Sequence, residues 1–124
     1  MAKVIMSIKS KFAARIFDGS KKYEYRRRIF KQSDVTKVII YVPAPTQKVI
    51  GEFEIGEILC EKPSILWEKT SDYAGITGEE FKGYFGGLPW GYAIEIKSTI
   101  LYANPLPLQA FGTSTPPVAF KYLR

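Results

Sequence analysis

Apolar and polar residues alternate over the first ten positions, with Val4, Met6 and Ile8 on one side and Ile5 and Ser7 on the other. Because Ile5 is also apolar, this predicts a first strand buried on both faces. A helix follows, with Ser10 as its expected cap and Phe12, Ala13, Ile16 and Phe17 as its apolar stripe. Asp18-Gly19 ends it, since glycine enters the left-handed turn without a Cβ clash. Lys22 to Ile29 reads as a strand with Lys22, Glu24, Arg26 and Arg28 on one face and Tyr23, Tyr25 and Arg27 on the other. Thr36 to Val42 is a β-branched apolar run closed by Pro43-Ala44-Pro45, the pattern of a buried central strand.

Farther along, Val49 to Cys60 predicts a long strand in which Gly51 and Gly56 allow bends or bulges. Pro63 starts a short helix carrying Ile65, Leu66 and Trp67. A second helix has Thr77 and Glu80 in capping-box spacing ahead of Phe81, Tyr84 and Phe85, and Gly86-Gly87 ends it. Tyr92 to Tyr102 returns to strand, and the proline-rich tail keeps Phe111, Val118, Phe120 and Leu123 to pack on the body. Strands at both ends with helices between them imply one α+β domain over residues 1–124, built on a curled sheet of mixed or antiparallel strands with flanking helices. No glycine-rich turn follows the first strand, which argues against a doubly wound nucleotide fold.

Composition narrows the chemistry. With 46% apolar residues, the 124-residue chain has enough apolar surface to fold without staples. No apolar run reaches the length of a membrane span, and the first ten residues lack a signal peptide's unbroken apolar block, so a cytoplasmic protein with no membrane partner is expected. Cys60 is the only cysteine and lies in the run Ile58-Leu59-Cys60, which predicts a buried structural thiol. Histidine is absent. That removes Ser-His and Cys-His nucleophile systems and the commonest zinc ligand, and no carboxylate cluster proposes a metal site or cofactor. Nothing in the residues speaks to oligomeric state.

The net charge of +6 is unevenly distributed. Residues 1–31 carry +8 and the other 93 carry −2, while Lys21 to Lys31 alone holds six cations against Glu24. Three of the six are arginines, whose planar donor forks suit phosphate, carboxylate or a stacked base. An anion site is therefore expected here, made by Lys21, Lys22, Arg26, Arg28 and Lys31, with RNA or a nucleotide-like ligand as partner. Within it Arg26 has the fork to hold a phosphate or base edge. Glu24, on the same strand face, can position that fork or accept from a base amino group. Lys21, crowded by Arg26 and partly desolvated, can anchor an anion or act as a base. A structural ion pair between Glu24 and Arg26 is the plainer alternative, and docking of an acidic protein partner on the basic strand is another.

Gly19-Ser20-Lys21-Lys22-Tyr23-Glu24-Tyr25-Arg26 fits the pattern G-x-K-x-x-E-x-R. Placed after a strand and a helix, this resembles the signature of the ASCH domains of the PUA-like superfamily. Gly51-Glu52-Phe53 and Tyr92-Ala93-Ile94-Glu95-Ile96 resemble that family's central and late strands. The resemblance implies a small β-barrel with helices around it and a cleft, lined by the motif from Gly19 onward, suited to RNA or a nucleotide. Some ASCH proteins hydrolyse acetylated cytidine with a lysine, a threonine and a glutamate, and others resemble RNA-binding or RNA-cleaving modules. Lys21 matches that lysine, but the position of the threonine is Glu24, so that subgroup's hydroxyl nucleophile is missing. The expectation is an RNA- or nucleotide-binding domain. The alternative is a small hydrolase of a modified nucleoside or of RNA, with Lys21 and Glu24 as its catalytic pair.

Overall fold

The computed structural model describes residues 2–123. In chain order the elements are β1 (Ala2–Ser7), α1 (Ser10–Phe17), β2 (Tyr23–Arg26), β3 (Val35–Val42), β4 (Lys48–Glu61), α2 (Pro63–Thr70), α3 (Gly78–Phe85), β5 (Gly91–Leu106) and β6 (Phe120–Leu123). They form one six-stranded sheet in the order β2-β5-β4-β3-β1-β6. β1 runs parallel to β3 and every other neighbouring pair is antiparallel.

The mixed α+β architecture is as expected, but the sheet is not a closed barrel. β2 and β6 are its two edges and do not pair with each other. Each has four residues, too few for a wall-length ladder, and across the gap β2 is tied by a side chain instead of by its backbone. The sheet nevertheless curls strongly. Laid flat, β2 and β1 would stand four strand spacings, about 19 Å, apart. Arg26 on β2 instead donates from Nη2 to the Ser7 carbonyl at the end of β1, 3.0 Å away, and from Nη1 to the Ala119 carbonyl ahead of β6 at 3.4 Å. An arginine side chain thus bridges the seam that backbone hydrogen bonds leave open.

Three apolar clusters hold this shape. The largest sets Val4, Met6, Val38, Ile40 and Phe53 against Ala13 and Ile16 of α1. On the other sheet face, Ile5, Ile39, Tyr41 and Val49 pack on Leu108 and Phe111 of the tail, so β1 and β3 are buried on both sides. The third joins Tyr25 and Ala93 to Leu66, Phe81 and Phe85 of α2 and α3. The tail returns to the body through β6, which pairs with β1 and stacks Phe120 edge-on against Phe30.

The Thr77–Glu80 capping box forms, with both reciprocal hydrogen bonds in place. Other local expectations are corrected. Lys9, not Ser10, occupies the cap position of α1, and no side chain caps it. β2 stops at Arg26 because Arg27 and Arg28 form a bend. Cys60 is exposed: register shifts between Ile55 and Ile58 leave Leu59 facing the α2–α3 cluster, so its neighbours Ile58 and Cys60 point away from it. No helix among the described residues is long and apolar enough to cross a membrane.

Candidate functional site

The unclosed seam is a cleft. Its cavity, about 200 Å³, is walled by Ser7, Ile8 and Lys9 after β1, Phe12 of α1, Lys21, Glu24, Tyr25 and Arg26 of the motif, Ile76, and Glu80 and Tyr84 of α3. At its mouth Lys11 of α1 and Glu80 of α3 form a 3.0 Å ion pair. Glu80's other oxygen accepts the Thr77 N–H, and these two contacts hold its carboxyl down at about 2.

Lys21 is almost wholly buried, at 2% exposure. Its Nζ donates to the Ala74 carbonyl at 2.8 Å and lies 4.9 Å from the Tyr25 ring centroid and 5.6 Å from that of Phe12. Burial lowers its pKa to about 8; Arg15 and Arg26 add to this, while Glu24 opposes it. The segment holding it in place is built around Gly75, whose φ of +66° suits glycine and whose missing side chain leaves room for the Lys21 stem. Arg15 Nη1 fixes the Gly75 carbonyl at 2.7 Å, and the Lys22 N–H bonds the Tyr73 carbonyl at 2.8 Å. A buried ammonium so tightly framed is costly unless it is used or paired.

Glu24 and Arg26 lie on the same face of β2, two residues apart. Arg26 meets Glu24 Oε2 twice, from Nε at 3.0 Å and Nη2 at 2.9 Å. Glu24 is itself buried, and among the described residues its Oε1 takes no hydrogen bond, although no fully buried side-chain oxygen lacks a partner. That oxygen is therefore left accessible to the cleft. With Ser7 and Ala119 also bound, Arg26 has spent most of its donors within the protein. The structural ion pair weighed from sequence is present, and the fork expected for a ligand is largely occupied.

The structure thus brings Lys21, Glu24 and Arg26 together and leaves the other four expected residues outside. Gly19, at φ +87°, makes the turn out of α1. Lys22 is exposed, its Nζ 4.7 Å above the Tyr73 ring. Arg28 and Lys31 are exposed on the loop after β2, where the Lys31 N–H bonds the Tyr122 hydroxyl at 2.8 Å. Phe12, Ile76, Glu80 and Tyr84 were not foreseen as site residues. Only the capping-box spacing marked Glu80, and it announced a helix start, not a wall.

A second cavity of about 470 Å³ lies between α2 and α3, lined by Trp67, Phe81, Phe85 and Leu88. It is larger, but Lys82 is its only charged lining residue. The seam cleft has the convergent polar groups that mark a ligand site. Among the described residues no group of three or more His, Cys, Asp or Glu is placed to hold a metal ion.

Known proteins can be set beside this geometry. The chain matches the family described as Domain of unknown function (DUF365) over residues 1–123. It is 29% identical over 121 residues to a large ribosomal subunit protein uL22 of Ureaplasma parvum, covering 98% of this chain and 39% of that protein. It is 29% identical over 83 residues to an ASCH domain-containing ribonuclease of Zymomonas mobilis, covering 67% of this chain and 56% of that one. The chain therefore spans 39% of the first relative's length and 56% of the second's, under two thirds of each. The crystal structure of ASCH from Zymomonas mobilis aligns with a TM-score of 0.88 at 25% identity, over 98% of this chain and 87% of that one. With an open curled sheet, a motif-lined seam and these matches along its length, the chain belongs to the DUF365 family and to the ASCH-domain proteins.

Proposed function

We propose that the seam cleft receives a nucleotide unit, either free or within single-stranded RNA. The observation that carries this reading is the buried Lys21 ammonium in an aromatic-walled cavity that also holds an open carboxylate oxygen of Glu24. A cation and an acceptor side by side suit the mixed acceptor and donor edge of a base, and Phe12, Tyr25 and Tyr84 supply aromatic walls. A cavity of about 200 Å³ is below the range of about 300–1,000 Å³ for drug-sized ligands, so one base-sized group enters while the rest of a strand crosses the basic rim. A nucleic-acid ligand also agrees with the ribonuclease name of the Zymomonas relative.

Fluorescence anisotropy with a short labelled single-stranded RNA tests the reading. Affinity should fall steeply with salt, each phosphate contact adding about 0.7 to the log-log slope. A flat response, or no binding at low salt, contradicts it.

One observation favours a hydrolytic second reading. With its pKa near 8, part of Lys21 is neutral at mildly alkaline pH, and a neutral amine in a cleft can take a proton from water or from a ribose hydroxyl. Glu24 stands where the acetylcytidine-cleaving subgroup has its threonine, so attack here would come from water or the substrate's own hydroxyl. Products from labelled RNA or an acylated nucleoside, formed by the wild type and lost in Lys21→Met, would establish it.

A further inference from the structure

We infer that Arg27, which lies outside the G-x-K-x-x-E-x-R pattern, is the phosphate-holding residue of this site and that Arg26 is not. The inference rests on the nucleotide-binding reading above and deepens it. Arg26 is the arginine a sequence reader would choose, but its Nε and both Nη groups already bond Glu24, Ser7 and Ala119. Little of its fork remains for a guest.

Arg27 has the opposite character. Its side chain is exposed but anchored: Nε donates to the Tyr84 carbonyl at 2.7 Å, and the guanidinium carbon lies 4.3 Å from the Tyr84 ring centroid. Among the described residues neither of its Nη groups has a hydrogen-bond partner. Tyr84 is also a wall of the cleft, so the guanidinium is in contact with the site through that ring. A fork held by stacking and by one hydrogen bond has already lost much of its rotamer freedom, so less entropy is lost when it clamps a phosphate. Arg28 and Lys31 are also exposed, and among the described residues their side chains have no hydrogen bond or aromatic contact to anchor them. The ligand class that follows is a nucleotide carrying a phosphate next to the base that enters the cleft.

The test is a salt titration of binding to a short labelled single-stranded RNA of mixed sequence. It compares wild type with Arg27→Ala, Arg27→Gln, Arg28→Ala and Lys3→Ala, after thermal melts confirm folding. Lys3 is exposed at the opposite end of β1 from Ser7 and serves as the control for charge alone. Arg27→Ala is expected to weaken binding about tenfold at low salt, in keeping with the loss of one charge-assisted hydrogen-bonding contact. Its slope should drop by about 0.7, while Arg28→Ala and Lys3→Ala keep the wild-type slope. Arg27→Gln keeps most of the stem and so remains informative if the alanine variant does not fold; it should show the same lost slope. Wild-type binding with an unchanged slope in both Arg27 variants overturns the assignment and leaves the nucleotide-binding reading standing. Equal losses in Arg27→Ala, Arg28→Ala and Lys3→Ala also overturn it, because they report a diffuse field. Absence of wild-type binding overturns both.

Discussion

Arg26→Ala is expected to lower the unfolding free energy by about 3–5 kcal/mol, measured by urea denaturation, because it leaves the buried Glu24 carboxylate without its cation. Glu24 is 7% exposed, so water can restore little of the lost partner. Two further acceptors lose their donor at the same time, the carbonyls of Ser7 and Ala119, and these tie β2 to the far side of the seam. For a domain whose whole stability is of the order of 5–15 kcal/mol, such a loss is severe. Arg26→Lys should recover only part of it, since a point-like ammonium cannot serve three acceptors arranged around a planar fork. Removing the carboxylate as well, in Glu24→Gln with Arg26→Ala, should recover the ion-pair share of the loss and leave the share due to the seam. A loss below about 1 kcal/mol in Arg26→Ala would mean that the pair is solvated and that the seam does not depend on it.

Lys21→Met should separate binding from stability. If RNA enters the cleft as proposed, losing the buried cation that lines it is expected to weaken RNA binding at least thirtyfold, the equivalent of about 2 kcal/mol. The fold should stay within about 2 kcal/mol of wild type, because methionine fills a similar volume and no longer brings a desolvated charge, although the Ala74 carbonyl loses its donor. The pH profile carries the same signature. Lys21 has a pKa of about 8 when folded and an ordinary value of 10.5 when unfolded, so between those limits the unfolded chain holds the extra proton. Wild-type stability should therefore gain a rising contribution as pH increases from about 8 to 10, and Lys21→Met should lack it. Affinity for an anionic ligand should move the other way, falling as pH passes 8 and the ammonium discharges. A methionine variant that binds as wild type does would remove Lys21 from the site.

Much of this was readable from local pattern. The β-branched run before Pro43 announced a buried strand, Thr77 and Glu80 announced a helix start, and the motif residues Lys21, Glu24 and Arg26 come together on one cavity wall while Gly19 stays outside it. The rest depends on contacts distant in sequence. Whether a curled sheet closes is decided by what its edge strands meet laterally, and β2 reaches across the seam through its own Arg26 side chain, bonded to the Ser7 and Ala119 carbonyls, instead of pairing with β6. Glu80 and Tyr84 come to the cleft only because α3 packs beside β2 through Tyr25, Phe81 and Phe85. Alternation along a strand put Arg26 and Arg27 on opposite faces, but it carries no information about which arginine's donors are consumed inside the fold. Cys60 misled for a similar reason, since a register shift upstream decides which way it points.

The central claim is that the guest enters through the open seam. The most direct measurement is the mapping of backbone amide chemical shifts during titration with short single-stranded RNA. The predicted result is a set of saturable changes at Ser7, Lys21, Tyr25, Ile76 and Tyr84, all of which line the cleft. Changes confined to Trp67, Phe81 and Leu88 of the second cavity, or to the exposed Ile100 and Leu101 of β5, with those five residues unmoved, would contradict it.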